Sequence, residues 1–149
     1  MGKITIETMG QHGQEMAKDM LKRLPHMDKF CQLDWLVRNK SGQWWLVEVK
    51  YQAHFTAPPF DGHGLPRWQV GARMQLWKEK GIRPLLWIFD YGSRTIYAQW
   101  LDILEAGRSH DTWGKKPRRV YPLESFEVLG EFDAARYRVG AFNWPDDWR

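Results

Sequence analysis

Asp34 is followed, after thirteen residues, by Glu48-Val49-Lys50. Two carboxylates brought together can hold a Mg²⁺ ion, and an ammonium beside them can orient or deprotonate water and offset charge on a phosphate. That is the chemistry of metal-dependent phosphodiester hydrolysis. The second half of the pattern lies in Gln43-Trp44-Trp45-Leu46-Val47-Glu48-Val49-Lys50-Tyr51, an apolar, β-branched and aromatic run that predicts a strand after Ser41-Gly42. Alternation along a strand sets Leu46, Glu48 and Lys50 on one face and Trp45, Val47, Val49 and Tyr51 on the other. Leu33 to Val37 is a second short apolar run, and if the two pair as a hairpin through residues 38–43, Asp34 comes near Glu48. A Glu and a Lys on a strand often simply face water. This strand is too apolar for a solvated edge, so its charges are expected to be paired or functional.

The elements that must position these residues follow from the flanking sequence. Residues from about Glu7 to Leu24 are rich in helix formers, with Met16, Met20 and Leu24, joined by Ala17 and Leu21, on one apolar face, and Pro25 stops the helix. Glu15 sits at the margin of that face, with Glu7 as a rival carboxylate, and Gly10 and Gly13 imply a late start or a close backbone approach. Lys3-Ile4-Thr5-Ile6 reads as a short strand before it. Gln52 to Leu65, with Pro58-Pro59, Gly62 and Gly64, reads as an irregular loop long enough to be functional. Within it His54 and His63 match no zinc spacing and read as polar surface able to touch metal or phosphate, while Asp61 beside Gly62 reads as a turn residue. A second helix begins near Pro66, carries Trp68, Gln69, Ala72, Met74, Leu76 and Trp77, and ends at a Gly81 cap. Pro84 to Phe89 predicts a buried strand and Arg94 to Trp100 another. Strand-helix-strand order adds a parallel pair to the hairpin, so the expected fold is α/β with a mixed central β-sheet flanked by helices.

A length of 149 residues with 43% hydrophobic content suits one globular domain over 1–149. The net charge of +4 suits a polyanionic partner without demanding one. Gly107 to Arg119 concentrates Arg108, Lys115, Lys116, Arg118 and Arg119, the best footprint for a phosphate backbone, whereas Glu124 to Arg149 is balanced. The single Cys31 excludes an intrachain disulfide. No apolar run approaches a membrane span and the N-terminus has no signal-peptide core, so a soluble intracellular (cytoplasmic) protein is the simplest expectation. Most of the ten tryptophans are expected to be core or interface anchors.

A helix with Gly13-Gln14-Glu15, then Asp34, then Glu48-Val49-Lys50, then a helix carrying Gln69, resembles the PD-(D/E)XK nuclease superfamily over residues 7–90, and most of all the archaeal-type Holliday junction resolvases. The resemblance implies an αβββαβ restriction-endonuclease-like core, dependence on Mg²⁺ with Mn²⁺ as substitute, a homodimer, and nicking of branched DNA. It further implies that Asp34 and Glu48 are metal ligands, that Val49 offers its carbonyl, that Lys50 serves the attacking water, that Glu15 supports the metal site and that Gln69 orients Lys50 or a phosphate. Gln69 fits virus-type and repair nucleases better than the resolvases. Leu33 stands where the motif has its nominal Pro, and Met16 where archaeal resolvases carry an Arg, which leaves flaps, ends or single strands as alternative substrates, and a non-catalytic DNA-binding module as the alternative role.

Overall fold

The computed structural model describes residues 6–25, 27–31, 35–56 and 59–148, with backbone alone for 6–11 and 27–31. Asp34, the expected first metal ligand, lies outside the described residues, as does the expected strand at Lys3-Ile4-Thr5. The chain begins its described course as helix α1 (Ile6–Lys22), followed by strands β1 (Met27–Cys31), β2 (Leu36–Asn39) and β3 (Trp44–Gln52). Strand β4 (Gly62–Pro66) leads directly into helix α2 (Arg67–Lys80) and strand β5 (Arg83–Asp90). Then come β6 (Thr95–Trp100), α3 (Leu101–Ala106), β7 (His110–Asp111), β8 (Arg118–Pro122), β9 (Glu127–Asp133) and β10 (Arg138–Phe142). The fold is mixed α/β.

The seven-stranded sheet has the order β1-β2-β3-β5-β6-β9-β10. β2 and β3 form the expected antiparallel hairpin, with Leu36 opposite Leu46 and Arg38 opposite Trp44. Gly42 closes its turn at φ +88°, a left-handed conformation open to glycine. β3 and β5 are parallel, from Trp45 beside Arg83 to Gln52 beside Asp90, and α2 supplies the crossover. β6 then pairs antiparallel with β5. β9 and β10 extend this sheet on its β6 side.

β5 is buried on both faces, which explains its unbroken apolar run. Leu85, Trp87 and Phe89 join Trp45, Val47 and the α1 residues Met16, Ala17, Met20 and Leu21 in one core, while Leu86 and Ile88 join Leu65, Val70, Leu101 and Tyr121 in the other. α1 is drawn close by Gly13, where an added Cβ would stand 3.2 Å from Tyr51 Cβ. The glycine thus marks a close approach, not a late helix start. The tryptophans are mostly interior: Trp35, Trp45, Trp87, Trp100, Trp144 and Trp148 are buried in the α1 core. Trp45 meets Trp100 edge-on at 5.0 Å, and Trp144 meets Trp148 at 5.4 Å.

The stretch read as an irregular loop is partly a strand. β4 pairs with β8 in a second, three-stranded sheet, β4-β8-β7. A Cβ on Gly62 would lie 2.0 Å from the Tyr121 carbonyl oxygen, and one on Gly64 2.0 Å from that of Arg119. The glycines that suggest a loop are there because the neighbouring backbone leaves no room for a side chain.

Candidate active site

Glu48 and Lys50 leave β3 on the α2 side, opposite the face through which Val49 and Tyr51 meet α1. Glu48 is 5% exposed. Its Oε1 lies 3.6 Å from Lys50 Nζ and its Oε2 3.4 Å from Arg73 Nη2 on α2. Burying a carboxylate costs several kcal/mol unless cations or donors compensate it, and Lys50 and Arg73 supply that compensation here. α2 ends just before Arg83, which stands beside Trp45 at the start of β3, so the helix runs antiparallel to that strand. Gln69, one helical turn before Arg73 on the same side, is thereby carried toward the Lys50 end of β3. Its Oε1 is buried without a hydrogen-bond partner among the described residues.

Backbone geometry aims Val49 usefully. The Val47 N–H donates to the Trp35 carbonyl at 3.0 Å, so Val47 turns its peptide groups toward the β2 side. Residue by residue these directions alternate, and Val49 therefore presents its carbonyl to that same side, beyond Leu46, where the ladder to β2 ends. Trp35, the neighbour of Asp34 in sequence, is 2% exposed and holds φ +40°, an unfavourable backbone for a bulky residue.

Two expected partners stand elsewhere. Glu15 is exposed on α1, beside a cavity of about 340 Å³ that it lines with Asp19, Arg23 and Tyr137. Because α1 covers the Val49 and Tyr51 face, Glu15 does not join Glu48. Its rival Glu7 is in the part of α1 whose side chains are not described. Arg119 is withdrawn from the basic footprint: its Nη1 donates to Glu105 Oε1 at 2.7 Å and its Nε to Asp111 Oδ1 at 3.0 Å. The bond to Asp111 raises the guanidinium pKa, and in return Arg119 holds the Asp111 carboxyl below its ordinary value. Tyr121, pushed up by burial and by Glu105, donates its hydroxyl to Glu105 Oε2 at 3.1 Å. Arg119 therefore anchors β8 to α3 and β7. Arg108 faces Glu124 at 3.9 Å with both side chains largely exposed, an ion pair that solvent screens strongly. Lys115 and Lys116 are exposed, and Arg118 is half-buried with its guanidinium 5.5 Å over the Phe55 ring.

The loop histidines are not polar surface. His63 and Asp90 are fully buried, with His63 Nε2 2.9 Å from Asp90 Oδ2. Gln52 Nε2 lies 3.0 Å from His63 Nδ1, which assigns the acceptor role to Nδ1 and the proton to Nε2. His54 Nδ1 approaches the same Asp90 oxygen at 3.0 Å, while Asp90 Oδ1 accepts the Gly92 and Ser93 N–H groups. Burial pushes His63 down to about 4 against the pull of Asp90. Burial alone would raise Asp90, but the hydrogen bonds from His54 and Ser93 and the His63 contact outweigh it and hold its carboxyl below the ordinary value. This network fastens the C-terminal ends of β3 and β5 to β4. Its signal in the sequence, two histidines and an aspartate 27 or more residues apart, has no readable spacing.

Among the described residues no group of three His, Cys, Asp or Glu side chains converges as a metal cage, and no helix is long and apolar enough to cross a membrane. The chain matches no family model, no curated protein and no solved structure.

Proposed function

We propose that this chain is a Mg²⁺-dependent DNA endonuclease with a restriction-endonuclease-like core, cutting phosphodiester bonds at branch points, with the four-way junction as the substrate the family likeness implies. The observation that carries the reading is Glu48: a buried carboxylate with Lys50 beside it on a parallel strand, in a hairpin whose other strand follows Asp34. The described pairing runs from Arg38 opposite Trp44 to Leu36 opposite Leu46, on the strand that leads toward Glu48. Mg²⁺ is commonly held by one or two carboxylates together with waters and substrate phosphates, so Glu48 and the Val49 carbonyl, with Asp34 as the family likeness implies, would be a sufficient donor set. When bound, the ion supplies Lewis-acid polarisation of the phosphate and acidifies a water.

The chain's own residues divide the remaining work. Lys50, paired to Glu48 in the described state, is placed to steady the attacking water and to offset charge on the phosphate. Arg73 holds Glu48 from the helix side and supplies a second cation next to the phosphate. Gln69, with a buried acceptor to satisfy, is the residue to orient the Lys50 ammonium. Two cuts in a four-way junction call for two sites, which a two-fold dimer provides. Cleavage of a four-way junction, a flap, a linear duplex and single-stranded DNA, side by side in Mg²⁺ and in EDTA, tests the reading. Metal-dependent cutting of a branched substrate ahead of duplex supports it, and absence of cutting on all four overturns it.

A further inference from the structure

Two of the bulkiest side chains of this protein stand in water beside the proposed site. Trp68, on the first turn of α2, is 69% exposed, and Trp113, between β7 and β8, is 77% exposed. They are the most exposed large hydrophobic residues among those described. Six of the other eight tryptophans are core residues, and neither of the remaining two is as exposed as this pair, so these two need a separate reason. They are joined through Arg67, the neighbour of Trp68, whose guanidinium lies 4.7 Å over the Trp113 ring.

The surface that carries them is held in place. The Arg67 N–H donates to the Pro117 carbonyl at 3.1 Å, the Thr112 N–H to the Arg118 carbonyl at 2.8 Å, and the Arg118 N–H to Thr112 Oγ1 at 3.1 Å. The segment bearing Trp113 is thus pinned to the N-terminal end of α2 at Arg67, two residues before Gln69. Its charge is one-sided. The acids of this region, Asp111 and Glu105, are engaged by Arg67 and Arg119, while Lys115 and Lys116 have no acidic partner among the described residues. Exposed indole faces interleaved with unpaired lysines suit a strand that offers flat bases and phosphates together. A second copy of this chain would bring the same lysines into opposition.

We propose that Trp68 and Trp113, linked through Arg67, form a stacking platform for unpaired bases, so that among branched DNAs the proposed site takes a flap, with a single-stranded arm beside the bond to be cut, in preference to a fully paired four-way junction. The substrate assignment rests on the endonuclease reading; the platform itself does not. Duplex DNA hides its base faces in the helical stack, so only an unpaired arm gains from the two indoles. Lys115 and Lys116 then take the phosphates of that arm without reading its sequence.

The test is binding of a fluorescein-labelled twelve-nucleotide oligo-dT and of an abasic oligomer of equal length and charge, in EDTA so that no cutting occurs, with urea unfolding of each variant as a folding control. The expected result is that the wild type binds oligo-dT at least about fivefold more tightly than the abasic strand, the low end of stacking on a single base. W68A/W113A should bring oligo-dT down to the abasic affinity while leaving the abasic affinity unchanged, and W68F/W113F should restore most of the difference. Equal wild-type affinity for the two oligomers overturns the platform, as does W68A/W113A binding oligo-dT like the wild type. Concentration-dependent self-association abolished by W68A/W113A, with no base-dependent binding, would assign the surface to a contact between copies instead. Base-dependent binding without cleavage of any DNA would leave the platform standing and remove the endonuclease reading.

Discussion

Glu48 Oε2 lies 3.4 Å from Arg73 Nη2, which ties strand β3 to helix α2 through a carboxylate that is 5% exposed. Truncating Arg73 leaves that carboxylate with Lys50, 3.6 Å away on the same strand, as its neighbouring cation. Arg73→Ala should therefore destabilise the fold by about 1–3 kcal/mol, the cost of an orphaned charge-assisted hydrogen bond. Urea unfolding reads this directly, and Arg73→Lys should recover part of the loss because it keeps the charge but not the planar fork. A midpoint unchanged by Arg73→Ala would mean that the contact carries no weight.

The His63 network predicts acid sensitivity. Its pKa is lowered on folding from 6.5 to about 4, so the unfolded chain binds the extra proton across this interval. Stability is thus fully present above pH 6.5 and is lost as pH falls toward about 4, with a slope approaching ~1.4 kcal/mol per pH unit. Asp90, also lowered, adds a further loss below its ordinary 3.8. Unfolding free energy measured from pH 7 to pH 4 should decline, and the His63 ring should remain neutral by NMR at pH 5. A flat profile would contradict the buried neutral imidazole.

Glycines that look alike in the sequence should respond oppositely. Gly62→Ala or Gly64→Ala drives a methyl to 2.0 Å from a backbone oxygen, which β8 must retreat to relieve. A loss of about 3 kcal/mol follows from overpacking of this kind. Gly71, in α2 with nothing within 4 Å of its added Cβ, should gain about 0.5–1 kcal/mol as alanine. Thermal melts of the three variants decide it, and a stabilised Gly62→Ala would disprove the close β4–β8 approach.

Salt dependence should follow the free lysines. Neutralising Lys115 and Lys116 together should flatten the slope of log K against log salt by up to ~1.4, at ~0.7 per phosphate contact on a single strand. Adding Arg119→Gln should change stability more than slope, because that side chain already serves Glu105 and Asp111. An unchanged slope in the double lysine variant would move the DNA path elsewhere.

The parts legible in the sequence are those with short-range periodicity. The alternation of Trp45, Val47 and Val49 against Leu46, Glu48 and Lys50, the α1 face of Met16, Met20 and Leu21, and the run from Leu85 to Phe89 each state their burial within a few residues. What was illegible depends on distant partners. Gly62 and Gly64 signal a loop until Tyr121 and Arg119 arrive beside them, and His63 signals polar surface until Gln52 and Asp90 close over it. For the site, Glu48 and Lys50 were readable from one strand. Arg73 was not, since a helix arginine has no mark that separates a buried partner from a solvated one. Glu15 failed as a partner for Glu48 because spacing along α1 does not say which face of the sheet the helix covers.

In the proposed function the Glu48 carboxylate serves metal-dependent cutting of DNA. The most direct measurement is the single-turnover cleavage rate of an end-labelled branched DNA in Mg²⁺ for the wild type and for Glu48→Gln, with binding followed in parallel. Glu48→Gln should abolish detectable cutting while DNA affinity stays within a few-fold, because the phosphate contacts come from other residues. A Glu48→Gln protein that cuts at the wild-type rate would contradict it.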